Sequence, residues 1–233
     1  SLTILGTDRD GVRIGPPPAP PSPSQPDGVA PAPGVSFIRI ESLTIENAWD
    51  GFNVKAGAVA SLCTFRKNRV GIIYKGDSGI RVFGCLFDNN SDGFISNETA
   101  SGISIANCEA RLGTTGFYLG SATSAQLTGC HVRDCSTGIG MWLSADILVH
   151  NCTIANCVFG IEINDYSSVS IIDSDISGSG SAVFGGFANI QASGNVFSGP
   201  ALRTLALANA SGSFHGNHIL KGSQYSVHMY YTT

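Results

Sequence analysis

Five cysteines, Cys63, Cys85, Cys108, Cys130 and Cys152, stand 22, 23, 22 and 22 residues apart, and Cys135 and Cys157 form a further pair 22 apart. A spacing this regular is an internal repeat, and a repeat of this length constrains the architecture more tightly than any single segment does. Laid end to end, the clearest copies read IRVFGCLFDNNSDGFIS (80–96), ISIANCEARLGTTGFYL (103–119), AQLTGCHVRDCSTGIGM (125–141) and ILVHNCTIANCVFGIEI (147–163). Weaker copies begin at Val169, Ile190 and Gly212, and residues 37–54 and 59–74 precede the clear ones.

Each copy holds two or three short stretches in which apolar and polar residues alternate. Ile147 and Val149, Ile154, and Ile161 and Ile163 are apolar between mostly polar neighbours. Alternation marks half-buried strands, and Gly or Asn breaks the chain between them. No segment carries an apolar stripe of helical period. Strands this short do not stand alone, so each coil must stack on the next, about 4.8 Å from rung to rung. The repeat predicts an all-β, right-handed parallel β-helix of about nine coils of ~22 residues, after a partial first coil, over residues 1–233 as one domain.

The pattern N-C/N-x-I-x-x-C/N-x-x-G-I-x-I resembles the parallel β-helix repeat of the pectate-lyase-like superfamily, which includes polysaccharide lyases, glycoside hydrolases, epimerases and phage tailspikes. The resemblance covers nearly the whole chain and speaks for the fold, because the repeating residues are those that build the coil. It implies a carbohydrate-directed β-helix that binds, and as an enzyme cleaves, a surface or extracellular polysaccharide, as a tailspike does. The alternative is a non-catalytic structural or adhesive solenoid, such as a virion spike shaft. No family active site transfers residue by residue. The aspartate-rich and Gly-His-Gly signatures of polygalacturonases, the calcium-binding aspartates of pectate lyases and the Tyr-Gly-Phe-Asp-Pro-His signature of alginate epimerases are not found, so neither metal nor cofactor is expected.

Charged residues are only 13% of the chain and the net charge is −4, which with no basic patch argues against a nucleic-acid partner. No run of about 18 apolar residues marks a membrane span, and no basic stretch followed by an apolar core marks a signal peptide. Alternation places Cys63 to Cys152 inward, one per coil, as a stack of buried thiols. Disulfides are the other reading, though a count of seven leaves at least one thiol free. The spacing lacks Cys-x-x-Cys, which argues against zinc. Reduced thiols suggest folding in a reducing cytoplasm, and with the resemblance this implies a virion or extracellular protein that folds before release.

Residues 15–34 hold nine of the ten prolines. Proline cannot continue a β ladder, so this stretch reads as an extended loop thrown out from an early coil, either a tolerated insertion or the wall of a groove or a contact with a neighbouring subunit. Strand-like sequence at both ends, without a capping helix, suggests a piece of a longer chain or ends covered by partners.

Stacking allows outward columns to be read. One runs Asn53, Ile73, Ile95, Tyr118, Gly140, Glu162, Phe184, Ala206 and His228, and two positions on lie Trp142 and Asn164. Tyr118, Trp142, Glu162 and Asn164 therefore gather as a candidate sugar-binding patch. A second face brings Asp88, Glu109, Arg111, His131 and Arg133 onto three successive rungs. These are the candidate catalytic residues. A lyase would use Arg to neutralise a uronate and His to take its proton. A hydrolase would use two carboxylates, about 5–5.5 Å apart to retain or 6.5–9.5 Å apart to invert. The plainer reading of this face is a surface ladder of salt bridges. The outward apolar residues Ile73, Ile95 and Phe184 suggest a homotrimer or larger assembly.

Overall fold

The structure, a computed structural model, describes residues 2–6, 13–14, 26–178, 180–198, 203–220 and 225–230. They form three parallel sheets of ten, ten and nine strands, and no helix is present among them. Each coil gives one strand to each sheet, as Phe37–Glu41 does to sheet 1, Thr44–Glu46 to sheet 2 and Asp50–Val54 to sheet 3. Leu2–Leu5 and Arg13–Ile14 form the partial first coil, and nine full coils follow it. This is the parallel β-helix that the 22-residue repeat predicts.

Alternation stacks like on like. The inward column of sheet 2 runs Ile45, Phe65, Phe87, Ala110, Val132, Ile154, Ile176 and Phe197, and every member is buried. Phe65 and Phe87 stack at 5.2 Å, and Phe117 meets Phe87 edge-on at 5.8 Å. Burying each large side chain of this kind contributes about 1.5–3 kcal/mol. The glycine column of sheet 3 has a steric cause. A Cβ on Gly138 would lie 2.4 Å from the carbonyl oxygen of Gly160 and 2.5 Å from Ile154 Cγ2. The rungs approach there more closely than a side chain allows.

The cysteine column is a stack of buried, free thiols. From Cys85 up, each Sγ of the column lies near a carbonyl of the coil below, as Cys130 does to Ile105 O at 3.5 Å and Cys152 to Leu127 O at 3.5 Å. The column then continues through Ser174, Asn195 and Asn217. There the amide of Asn195 donates to Ile171 O at 2.7 Å, and its Oδ1 accepts the N–H of Ser174 at 2.9 Å. Thiol, hydroxyl and amide hold the same corner. The second corner repeats this substitution, with Asn68 and Asn90 bonded across rungs (Asn68 N–H to Asn90 Oδ1, 2.9 Å) and buried Cys135 and Cys157 higher up.

The three connections differ in how freely their length varies. From sheet 1 to sheet 2 the inward residues are always five apart: Ile40 to Ile45, Val82 to Phe87, Val149 to Ile154, Ala192 to Phe197. From sheet 2 to sheet 3 they are seven apart from Ile45 and Phe52 up to Ile176 and Val183. The return from sheet 3 to sheet 1 takes four residues from Val54 to Ala58, six from Tyr74 to Ile80, seven from Ser96 to Ile103 and five from Gly185 to Ile190. Between Ile40 and Val183 the third corner absorbs every change in coil length.

Of the proline-rich stretch, residues 15–25 lie outside the described residues. Residues 26–29 do not project. The N–H groups of Gly28 and Val29 donate to the carbonyls of Asp50 and Gly51 at 2.8 Å each, and Asn53 N–H donates to Val29 O at 2.9 Å. Gly28 heads the glycine column, since a Cβ there would lie 2.6 Å from Gly51 O. Residues 26–29 thus run on sheet 3 and close the third side of the first coil.

Candidate functional site

The outward columns lie in the predicted register. On sheet 2, Leu86, Glu109, His131 and Thr153 pair in turn, and so do Asp88, Arg111, Arg133 and Ala155. The side chains form a chain of ion pairs. Arg111 Nε donates to Asp88 Oδ1 at 2.8 Å, and Arg133 Nη2 meets Glu109 Oε1 at 3.0 Å. Arg133 Nη1 also meets Asp134 Oδ2 at 2.9 Å. A rung earlier, Arg66 and Glu46 pair in the same way at 2.5 Å. His131 is exposed between Glu109 and Thr153, and no hydrogen bond joins it to Glu109 among the described residues. The carboxylates of Asp88 and Glu109 are each held by a guanidinium. The arrangement suits rung-to-rung fastening, each exposed pair adding about 0–1 kcal/mol.

The face of sheet 3 is built differently. Tyr118, Gly140 and Glu162 stand in one column, and Gly120, Trp142 and Asn164 in the next. All of these but Gly120 line a groove of about 500 Å³, together with Thr115, Thr137, Met141 and Asp165. Two glycines make room for the tyrosine ring. A Cβ on Gly140 would lie 3.0 Å from Tyr118 Cδ2, and one on Gly120 2.8 Å from Tyr118 Cε1. The ring therefore lies along the floor, while the Trp142 indole is 44% exposed at the rim.

Hydrogen bonds fix the polar groups. The Thr137 hydroxyl donates to Glu162 Oε2 at 3.2 Å, and Asn164 Nδ2 donates to Glu162 Oε1 at 3.1 Å. The Trp142 indole N–H donates to Asp165 Oδ2. Burial, and then the carboxylates Glu162, Asp165 and Asp92, raise the Tyr118 phenol above its ordinary range and keep it protonated. Burial also raises Asp92, which the Thr115 hydroxyl bond only partly offsets. None of the residues lining the groove is Lys, Arg or His. A flat aromatic ring beside fixed acceptors can hold a sugar, whose C–H face packs on the ring while its hydroxyls donate to the carboxylates.

All four predicted patch residues thus come together here. Asp165 and Tyr166 were not foreseen. They sit in the third corner with φ of 51° and 62°, where no alternation applies. Tyr166 is 78% exposed and its ring lies 5.7 Å from that of Phe187 on the next coil. The only sequence signal is the Asn-Asp-Tyr run itself, since Asn and Asp favour corners. The expectation of an open apolar face is not met at Ile73, which is 5% exposed, and Phe184 is half-buried against Phe159 at 5.3 Å. Among the described residues, no helix is long and apolar enough to cross a membrane.

The sequence matches the family described as right handed beta helix region over residues 28–144 and again over 70–233. No curated protein matches the chain. Among solved structures, the periplasmic alginate epimerase AlgG aligns with a TM-score of 0.69 at 17% identity, over 83% of this chain and 50% of that one. The A-module of the Azotobacter vinelandii mannuronan C-5 epimerase AlgE4 aligns with a TM-score of 0.59 at 12% identity, over 82% of this chain and 64% of that one. The chain spans about half the length of the AlgG structure. At these identities the likeness is one of fold.

Proposed function

This chain belongs to the right-handed β-helix family, and from that premise we propose that it is a carbohydrate-directed β-helix that binds a polysaccharide in the groove of sheet 3. The observation that carries this reading is the Tyr118 ring laid over Gly140 beside Glu162, with the Trp142 indole at the rim. An aromatic floor with fixed hydrogen-bond acceptors is the chemistry of a sugar platform, and exposed aromatic area at a concave site is what ligand pockets use. The position of Asp165 and Tyr166 on the third corner supports it too, because the corner that varies in length is the natural place for function on a fixed scaffold. The aligned structures are named as epimerases of alginate and mannuronan, both polysaccharides, which agrees with a glycan ligand. Asp88, Glu109, Arg111 and Arg133 hold rungs together in this reading, and His131 lies beside that ladder.

A second reading is a spike or shaft, tailspike-like, whose copies pack side by side as a homotrimer in a virion. Leu62 and Phe83, 42% and 49% exposed on adjoining rungs, favour it. The two readings separate in one experiment. Affinity electrophoresis through gels carrying different polysaccharides should retard the parent protein, and Trp142→Ala should abolish most of that retardation with an unchanged circular dichroism spectrum. A parent protein that no polysaccharide retards, and that sediments as a trimer, would leave the shaft reading in place.

A further inference from the structure

We infer that the sheet-3 groove selects a polysaccharide of uncharged sugars and rejects polyuronates, an inference that rests on the glycan-binding reading above. Glu162 and Asp165 lie at its wall, and Asp92 stands in register with Thr115 at its edge. No cationic side chain lines it. A uronate chain carries one carboxylate per sugar. Such a chain would meet these acids with nothing to neutralise it, and like charges brought together in a partly desolvated site repel strongly. Arg111 and Arg133 are engaged on sheet 2 with Asp88 and Glu109, and Arg69, which acts on Asp92 at the edge, is itself engaged with Asp50 and the Trp49 ring.

The acids do not call for a cationic sugar either. Both oxygens of Glu162 already accept hydrogen bonds, from Thr137 and from Asn164, and Asp165 accepts the indole N–H of Trp142. Each carboxylate oxygen has a second lone-pair direction, which suits a neutral hydroxyl donor. The rings of Tyr118 and Trp142 supply a neutral, sequence-tolerant contact for the faces of the sugars. The groove thus pairs hydroxyl acceptors with stacking surfaces and offers a uronate no partner. This charge preference is the reverse of what the chemistry of an anionic glycan would require, although the aligned structures are alginate and mannuronan epimerases.

The test uses the intrinsic fluorescence of the intact protein, to which Trp142 and the distant Trp49 contribute, titrated at low salt with length-matched oligomers of glucose, glucosamine and a uronic acid, with Trp142→Phe identifying the signal of the groove. Glucose oligomers should bind, and uronate oligomers should bind roughly tenfold more weakly or worse, with the gap narrowing as salt screens the charges. Glu162→Gln with Asp165→Asn keeps acceptors at both positions and should narrow the gap in the same way at low salt. Uronate oligomers binding as tightly as glucose oligomers would overturn the charge selection while leaving the groove a glycan site. Glucosamine oligomers binding more tightly than glucose oligomers would overturn the assignment to uncharged sugars. Failure of all three oligomers to bind, with the protein folded, would overturn the glycan reading and this inference together.

Discussion

The hydroxyl of Ser174 accepts the backbone N–H of Cys152 at 3.1 Å, and at this contact a ladder of thiols becomes a ladder of hydroxyl and amide groups. Below it the corner residues are Cys63, Cys85, Cys108, Cys130 and Cys152. Above it they are Ser174, Asn195 and Asn217. Sulfur here is a structural group, packed between rungs and turned toward carbonyls, with the reactivity of a buried thiol.

The thiols should therefore differ in reactivity along the two corners. Hydrogen bonding to the Cys108 thiol, with burial, pushes Cys130 up to about 12. Hydrogen bonding from Cys157 holds Cys135 down at about 7. Hydrogen bonds from Cys130 and Cys85 lower Cys108 as well, but it is sealed at 1% exposure against 5% for Cys135, so Cys135 should be the first of the seven alkylated by iodoacetamide at neutral pH and the Cys63–Cys152 stack should be labelled only after denaturant is added. Mass spectrometry of timed peptide digests reads the order directly. Uniform labelling of all seven in the native protein would contradict the stacked arrangement.

The glycine column predicts a steep penalty at one position. In Gly138→Ala the new Cβ would stand 2.4 Å from Gly160 O, so two rungs must separate. A loss of about 1–3 kcal/mol is expected, at the upper end because the clash is with backbone. Urea titration followed by circular dichroism measures it. Gly186→Ala is the control, because its Cβ would meet nothing nearer than Asn164 Oδ1 at 3.8 Å, and it should change stability little.

Asp92 predicts a dependence on pH. Burial raises its carboxyl in the folded state, so the folded chain binds this proton more tightly than the unfolded chain does. By linkage, that group's contribution to stability falls as pH rises through its titration range and recovers on acidification. Asp92→Asn should therefore melt at a higher temperature than the parent at neutral pH. The difference should shrink as the pH is lowered through the raised pKa, where both side chains are uncharged. A constant difference in Tm from neutral to acid pH would count against burial as the cause.

Much of this was legible in the sequence because period-two alternation and a 22-residue repeat leave one register. The Tyr118–Gly140–Glu162 column and the Glu109–His131–Thr153 column both follow from counting. Counting does not reveal what a side chain does once it is outside. Arg111 and Arg133 turned to carboxylates on their own face, so the expected acid–base cluster became a line of ion pairs. Ile73 is outward by alternation and still only 5% exposed. Nor does alternation reach the corners. Asp165 and Tyr166 sit where the backbone leaves the pleat at positive φ, and Gly28 joined sheet 3 although proline surrounds it in sequence.

From Ile40 to Val183 the third corner lengthens from four residues at Val54–Ala58 to seven at Ser96–Ile103 while the other two connections keep their lengths. The scaffold and its working edge are thus separate in heredity as well as in space. A codon gained or lost between sheets 3 and 1 reshapes the rim beside Trp142, whereas the corner from sheet 1 to sheet 2 keeps one length throughout. New specificities on this chassis should arise by insertion and deletion at one edge, and a designer seeking to graft a foreign peptide would choose the segment around Asp165–Ser167.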